Sequence, residues 1–387
     1  MLLDSIFWLS VLLILHSYLL YPALLALLSR NRKNNATVYS KEEEFPRVAV
    51  LVSAYNEEAV IGEKIDSIFR GSYPPGKLEV RIGSDCSNDR TNEILRECAA
   101  TYPQLKIFLY HERRGKQNVI NDLVSGTDAE ILVLTDANVI FDQHTLRNMV
   151  RHFKNPCIGL VDTNMINRGM KKEGISIQES TYISREVHIK NMEGRLWGAM
   201  MGPFGGCYAI RKEDYSRVPA NYLVDDFYIN MHVFTKGKKA INDLEAKVYE
   251  DVSNAIRDEF RRKVRIATGN FQNLKTFAPL LFRPYVGFCF FSHKVLRWLG
   301  PFFILAALTA NIFLAFASVF YLVLLGLHVL LFLMPLLDVL LKSMGIHHRF
   351  LRLATHFYAM NLALLIGFFK FLRPVRSGVW DRTRRNQ

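Results

Sequence analysis

The stretch "EILVLTDANVIF", Glu130 to Phe141, decides how the rest of the chain is read. Four consecutive aliphatic residues, Ile131 to Leu134, run directly into Thr135-Asp136-Ala137-Asn138, and the chain then turns apolar again. An uninterrupted aliphatic run of this kind is the pattern of a short strand buried on both faces. Asp and Asn at its end suit an ordinary turn, since both are good turn formers. The triplet acquires meaning only from what surrounds it.

Similar units lie upstream. "RVAVLVSAYNEE" predicts a buried strand over Val48–Ser53 that breaks into an acidic turn at Asn56, Glu57 and Glu58. Ala59 to Arg70 has helical periodicity through Val60, Ile61, Ile65, Ile68 and Phe69, and Pro74-Pro75-Gly76 ends it. A second strand, Leu78–Ile82, opens into the polar "GSDCSNDRT", followed by an amphipathic helix from Asn92. A third strand, Lys106–Tyr110, precedes "HERRGKQNVIN" and a helix over Lys116–Leu123. Alternating strands and helices predict an α/β domain with a parallel sheet and covering helices.

In such sheets ligands sit beyond the carboxyl ends of the strands. Three strand ends here carry polar clusters: Asn56 and Glu57, then Asp85 and Asp89, then Asp136 and Asn138. Their convergence on one edge points to a site. Oxygen ligands of this kind suit a hard cation, Mg²⁺ or Mn²⁺, shared with substrate phosphates. No glycine-rich phosphate loop with Walker or Rossmann spacing occurs, so a diphosphate would be held by metal and basic side chains.

Apolar segments flank this region. The chain has 387 residues, half of them hydrophobic, and 49 Lys+Arg against 36 Asp+Glu give a net charge of +13. Leu2 to Leu28 carries one acid, Asp4, and is followed by Arg30, Arg32 and Lys33. The missing basic n-region argues for a retained transmembrane helix over 1–29 and against a cleaved signal peptide. Leu299 to Leu341 contains a single charge, Asp338, and predicts a transmembrane hairpin over 299–341. Segment 276–298, with Arg283 and Pro284, is expected to lie in the membrane interface, because an unpaired Arg at mid-bilayer is costly. The basic residues after the first helix place the 40–275 domain in the cytoplasm of an inner-membrane, multi-pass protein. The tail, 373–387, with Arg373, Arg376, Arg382, Arg384 and Arg385, also favours the cytoplasm. The third segment, 354–372, is therefore expected to be re-entrant or interfacial. The positive charge gathers beside membrane segments, which favours anionic lipid and excludes nucleic acid as its partner. Cys86, Cys98, Cys157, Cys207 and Cys289 show no metal or redox spacing and read as structural thiols.

The pieces "VSAYNEE", "GSDCSNDRT", "RRGKQNVIN", "LTDAN", "GPFGGCYAIRKE", "VDDF" and "EFRRKVRIATGN", in this order over about residues 48 to 275, resemble membrane-bound family 2 glycosyltransferases. That superfamily includes the cellulose, chitin and hyaluronan synthases. "SHKVLRWLGPF" and "WDRTRR" are similar to segments of bacterial members. The resemblance implies a GT-A fold, a nucleotide-sugar donor, expected to be a UDP-sugar, and inversion at the anomeric carbon. It assigns Asn56, Glu57 and Asp85 to the nucleobase and ribose, Lys116 to donor phosphate or sugar, and Asp136 with Asn138 to the metal and diphosphate. Asn138 stands where the family pattern has a second Asp. In "YLVDDFYIN", the second acid, Asp226, maps to the base that takes the acceptor proton, with Asp225 as helix cap or orienter. Arg262 and Arg265 fall in the donor-binding motif, of which Arg265 retains the diphosphate-neutralising arginine. The Gln of that motif is replaced by Arg262 and its stacking Trp by Ile266, which weakens the case for processive polymerisation. Trp197 is the candidate acceptor platform in their place.

The acceptor is then expected to be a growing polysaccharide or a lipid-linked molecule at the cytoplasmic membrane face. Single-sugar transfer to a lipid carrier and a catalytically impaired scaffold are the alternatives. A transporter would leave the large central domain and its polar strand ends without a task.

Overall fold

The computed structural model describes residues 1–40, 43–168, 176–251, 256–346 and 348–373. The expected tail beyond Arg373, including "WDRTRR", lies outside them. Eight strands form one sheet: β1 (Val48–Ala54), β2 (Leu78–Asp85), β3 (Leu105–Tyr110), β4 (Ile131–Asp136), β5 (Ile140–Phe141), β6 (Ile158–Arg168), β7 (Cys207–Arg211) and β8 (Lys239–Asp251). Their order is β3-β2-β1-β4-β7-β6-β8-β5.

The first half is the parallel sheet that the sequence predicts. β1 pairs in parallel with β2 and β4, and β2 with β3. Alternation along β1 divides the core. Val48, Val50 and Val52 face the layer holding Ile61, Ile65 and Ile68 of the helix Ile61–Phe69. Ala49 and Leu51 face Val119, Ile120 and Leu123 of the helix Lys116–Ser125. Each central strand is thus covered on both sides, which is why it reads as an unbroken apolar run. Register brings the strand ends level, with Ser53 opposite both Gly83 of β2 and Asp136 of β4.

The second half of the sheet is mixed. β7 runs antiparallel to β4 and to β6, while β8 pairs in parallel with β6 and antiparallel to β5. The long helix Ser176–Trp197 packs on β8, and the helix Asp225–Thr235 lies in the second core layer through Phe227, Ile229, Met231, Val233 and Phe234.

Among the described residues, three helices are long and apolar enough to cross a membrane: Leu2–Ser29, Val319–Ser343 and Phe350–Phe371. A further pair, Val286–Trp298 and Gly300–Ala315, is bent by 61° at its junction. Gly300–Ala315 and Val319–Ser343 form the expected hairpin. Its closed end meets the start of the first helix, where Phe7 packs with Ala307, Ala310 and Leu314 and the Tyr321 hydroxyl donates to Asp4 Oδ1 at 3.0 Å. Arg283 escapes an unpaired position by donating to the Phe234 carbonyl at 2.6 Å and the Thr235 carbonyl at 3.4 Å. Those carbonyls end the Asp225–Thr235 helix, where a cation is favoured.

The last helix starts at Arg349, ahead of the expected Ala354. Its contacts run along most of its length. Thr355 Oγ1 donates to Asp338 Oδ2 at 3.0 Å, Phe357 meets Tyr18, and Phe368 meets Phe302 and Phe271. Gly367 is a close-approach point against the helix Ile256–Phe277: a Cβ there would lie 2.4 Å from Ala267 Cβ and 2.9 Å from the Thr268 nitrogen. Gly367→Leu is expected to lower stability by about 1–3 kcal/mol, the usual cost of overpacking. Chemical denaturation of the two proteins in one detergent measures it, and equal midpoints would mean that this helix docks elsewhere.

Candidate active site

The carboxyl ends of β1, β2 and β4 are built by loops that satisfy one another. Asn56, with φ 54°, donates its backbone N–H to Ser87 Oγ at 3.1 Å, while its Oδ1 accepts from the Asn88 nitrogen at 2.9 Å. The Glu57 nitrogen donates to Thr91 Oγ1 at 2.8 Å, and Glu58 Oε2 accepts from the Arg90 nitrogen at 3.0 Å. The acidic turn after β1 is therefore laced to the loop after β2, and short polar side chains do the lacing.

Asp85 is nearly fully buried, and its carboxylate accepts from the Arg114 nitrogen at 2.6 Å, the Gly115 nitrogen at 3.0 Å and Arg113 Nε at 3.3 Å. Gly115 has φ 82°, a backbone that favours glycine, and it is this turn that aims its N–H at Asp85. Asp85 thus shapes the loop that delivers Lys116.

Lys116 opens the next helix. Its Nζ lies 2.6 Å from Asp136 Oδ1 and 3.9 Å from Asp225 Oδ2. Burial disfavours the ammonium, but Asp136 and Asp225 outweigh burial and raise its pKa above the ordinary lysine value. Asp136 is the last residue of β4. Its nitrogen donates to the Gly206 carbonyl at 2.9 Å, and the Thr135 hydroxyl donates to the same carbonyl at 2.9 Å. Beneath this turn lies Lys64, fully buried, donating to Thr135 Oγ1 at 2.8 Å and to the Val139 carbonyl, with its Nζ 3.7 Å from the Phe141 ring centroid. Burial lowers its pKa to about 7.

Asn138 donates Nδ2 to Glu250 Oε1 at 3.2 Å. A carboxylate can only accept, so the pairing fixes which end of the amide faces Glu250 and directs Oδ1 away from it.

Asp225 and Asp226 occupy the first turn of the helix Asp225–Thr235. The expected capping role of Asp225 is corrected here. Val224 holds the cap position, no side chain caps the helix, and Asp225 instead approaches Lys116. Asp226 accepts from the Phe227 nitrogen at 2.8 Å and packs on Gly205, where a Cβ would lie 2.6 Å from Asp226 Oδ2. Burial, then the charge of Asp225, pushes the Asp226 pKa up to about 7. Arg265 belongs to the same electrostatic group. Burial and then Arg262 lower its pKa to about 10, against the opposing pull of Asp225, Asp226 and Asp136. Arg262 itself pairs with Glu259 at 3.2 Å.

Trp197 lies partly buried against two aromatic neighbours. Its ring stacks on Tyr285 at 5.7 Å and 14°, and Phe288 meets it edge-on at 5.9 Å. It serves the junction between the domain and the Val286–Trp298 helix.

The donor set can be tested against Mg²⁺ or Mn²⁺. Among the described residues no group of three or more His, Cys, Asp or Glu could hold a metal ion. Asp136 and the Asn138 carbonyl offer one carboxylate and one amide oxygen. That set fits a hard cation that takes its remaining ligands from substrate phosphates and water, and the 2.6 Å ammonium contact shows Asp136 already matched to a cation.

A mixed α/β sheet with these strand ends is the GT-A arrangement. Residues 49–218 match the family model for Glycosyl transferase family 2, and the chain carries a domain of that family. It is 30% identical over 166 residues to a beta-monoglucosyldiacylglycerol synthase of Synechocystis sp., a match covering 40% of this chain and 34% of that protein. It is 24% identical over 251 residues to a poly-beta-1,6-N-acetyl-D-glucosamine synthase of Staphylococcus aureus, covering 64% of this chain and 59% of that one. The chain thus matches about a third of the cyanobacterial relative's length. Among solved structures, the mannosyltransferase PcManGT from Pyrobaculum calidifontis, in complex with GDP-Man and Mn2+, superposes with a TM-score of 0.70. That likeness covers 96% of this chain and 99% of the other at 24% identity, and it establishes the shared fold.

Asp226 makes the site costly to the fold, with a sign that can be measured. Its folded pKa of about 7 lies above the ordinary 3.8, so the folded protein keeps a proton that the unfolded chain releases. Its contribution to stability is present below the ordinary value, falls as pH rises toward 7, and is flat above. Asp226→Asn is therefore expected to raise the thermal midpoint relative to wild type at pH 8 and to leave it near the wild-type value at pH 4. A constant difference across this range would place the carboxylate in a wetter environment.

Proposed function

We propose that this chain is an inverting glycosyltransferase that moves a sugar from a nucleotide-sugar, a UDP-sugar, to a polysaccharide or lipid-linked acceptor at the cytoplasmic face of the inner membrane. The observation that carries the reading is the meeting of Lys116, Asp136 and Asp225 beside Asp226, a buried acid whose pKa is pushed up to about 7. A general base with a pKa near the operating pH is the most effective kind.

In this reading Asp226 accepts the proton of the acceptor hydroxyl as that oxygen bonds to the anomeric carbon. The bond from that carbon to the diphosphate breaks, its electron pair leaving with the diphosphate. Lys116 and Arg265 hold positive charge where negative charge collects. Asp136, with Asn138 Oδ1 as a neutral partner, would hold a divalent cation, which would supply further charge neutralisation at the diphosphate. Asn56 and Glu57 border the donor side, while Asp85 keeps Lys116 in place and Arg262 sets the charge around Arg265. The PcManGT ligand makes a GDP-sugar the alternative donor, and competition between UDP and GDP for one site separates the two.

The commitment of Trp197 to Tyr285 favours a second reading of the acceptor, in which one sugar is added to a lipid without repetition. The similarity to a diacylglycerol glucosyltransferase is consistent with it. In the same reading the first helix and the hairpin cross the membrane, while the last helix, which packs on Tyr18, Phe302 and Phe271, lies in the cytoplasmic interface; these contacts support that reading.

Asp136→Ala is expected to abolish transfer and metal-dependent nucleotide binding while the protein stays folded. Transfer assays with and without EDTA, paired with nucleotide-binding titrations, measure this. Full wild-type activity in EDTA would overturn the metal role.

A further inference from the structure

We propose that Glu193 is a positioning residue that ties the amino-terminal helix and the Val286–Trp298 helix to the loop beside the catalytic acids, an inference that rests on the functional reading above. Glu193 is fully buried near the end of the helix Ser176–Trp197. Its Oε1 accepts from the Tyr21 hydroxyl at 2.7 Å and pairs with His293 Nδ1 at 2.8 Å, and its Oε2 accepts from the Met201 nitrogen at 3.0 Å. Tyr21 and His293 are also fully buried. One carboxylate therefore joins three separate elements, and none of the three donors has water as a substitute.

The third donor leads into the active site. After Met201, the Gly202 nitrogen donates to Asn230 Oδ1 at 3.0 Å on the helix that carries Asp225 and Asp226. The Phe204 nitrogen donates to Asp162 Oδ1 at 2.7 Å, Gly205 packs on Asp226, and the Gly206 carbonyl accepts from the Asp136 nitrogen at 2.9 Å. The segment Met201–Gly206 thus touches the base on one side and the metal-binding turn on the other.

The membrane side is equally fixed. The first helix widens into a π-turn at His16–Leu20 and the Val286–Trp298 helix does so at Phe290–Val295. The two turns meet where His16 Nε2 and Ser292 Oγ lie 3.0 Å apart. The second nitrogen of His293 pairs with Glu186 Oε2 at 3.0 Å, and Glu186 also binds Lys294 at 3.1 Å and Arg297. Such π-turns are uncommon and recur at functional junctions. A buried carboxylate that loses a donor keeps its desolvation cost, so each partner constrains the others.

The test uses the full chain in lipid nanodiscs, with Glu193→Gln and Tyr21→Phe. A glutamine at 193 cannot accept from all three donors, and a phenylalanine at 21 deletes only the donor from the first helix. Hydrogen exchange at Met201–Gly206, transfer kinetics, nucleotide affinity and thermal midpoint are measured side by side. For Glu193→Gln, exchange in this segment is expected to quicken and kcat to fall, each by roughly tenfold or more, with nucleotide Kd within about twofold. Tyr21→Phe is expected to shift exchange and kcat in the same direction by about two- to fivefold, with a lowered thermal midpoint and nucleotide Kd within about twofold. Unchanged exchange and kcat in both variants would overturn the proposal. So would a nucleotide affinity that weakens in step with kcat while the thermal midpoint drops, because that pattern is general destabilisation. If the wild-type chain transfers no sugar to any acceptor, the functional reading fails, and the exchange measurement still decides whether Glu193 holds the loop.

Discussion

The ion pair between Lys116 and Asp136 is the contact on which the rest of the site depends. Both groups sit at the end of the most buried part of the domain, where an isolated charge would be strongly penalised. Asp85 holds the turn that brings Lys116 there, through the Arg114 and Gly115 backbone. Lys64 and the Gly206 carbonyl hold the turn that presents Asp136. A buried and a half-buried lysine, Lys64 and Lys116, and a buried and a half-buried acid, Asp85 and Asp136, therefore frame one strand end, which is a place for a ligand with its own charge.

The antiparallel half of the sheet explains how acids from a distant part of the chain reach that strand end. β7 lies against β4, so the glycine-rich turn before it abuts Asp136, and the same turn leaves space for Asp226. The helix carrying Asp226 is gripped at its other end by Arg283, whose neighbours Phe282 and Tyr285 are exposed apolar side chains. Arg283 and the acid pair thus sit at opposite ends of one short helix.

Much of this was legible in the sequence. Unbroken aliphatic runs announced β1, β2 and β4, and the helices between them followed from their periodicity. The three polar strand ends did converge. Lys64 left a signal that the reading passed over, a cation on the apolar stripe formed by Ile61, Ile65 and Ile68. Other features had no local signal. β6 and β8 owe their place to pairing across the sheet, and nothing near Asn138 in sequence names Glu250 as its partner. Asp85 carries the residue type of a ligand site, yet only the fold reveals that backbone N–H groups use its oxygens. Trp197 is a candidate platform because Ile266 stands where the motif has its stacking Trp, and its stacking on Tyr285 has no signal in the local sequence. A capping acid at Asp225 was likewise a reasonable local expectation that Lys116 overrode.

The central claim is that Asp226, and not its neighbour, removes the acceptor proton. Turnover and nucleotide affinity for Asp226→Asn and Asp225→Asn, measured in parallel, test it most directly. Asparagine keeps the shape of each side chain but removes its capacity to take a proton. The account predicts that Asp226→Asn loses roughly 10²-fold or more in turnover at nearly unchanged nucleotide affinity, and that Asp225→Asn stays within about tenfold of wild type. A healthy Asp226→Asn enzyme would contradict it.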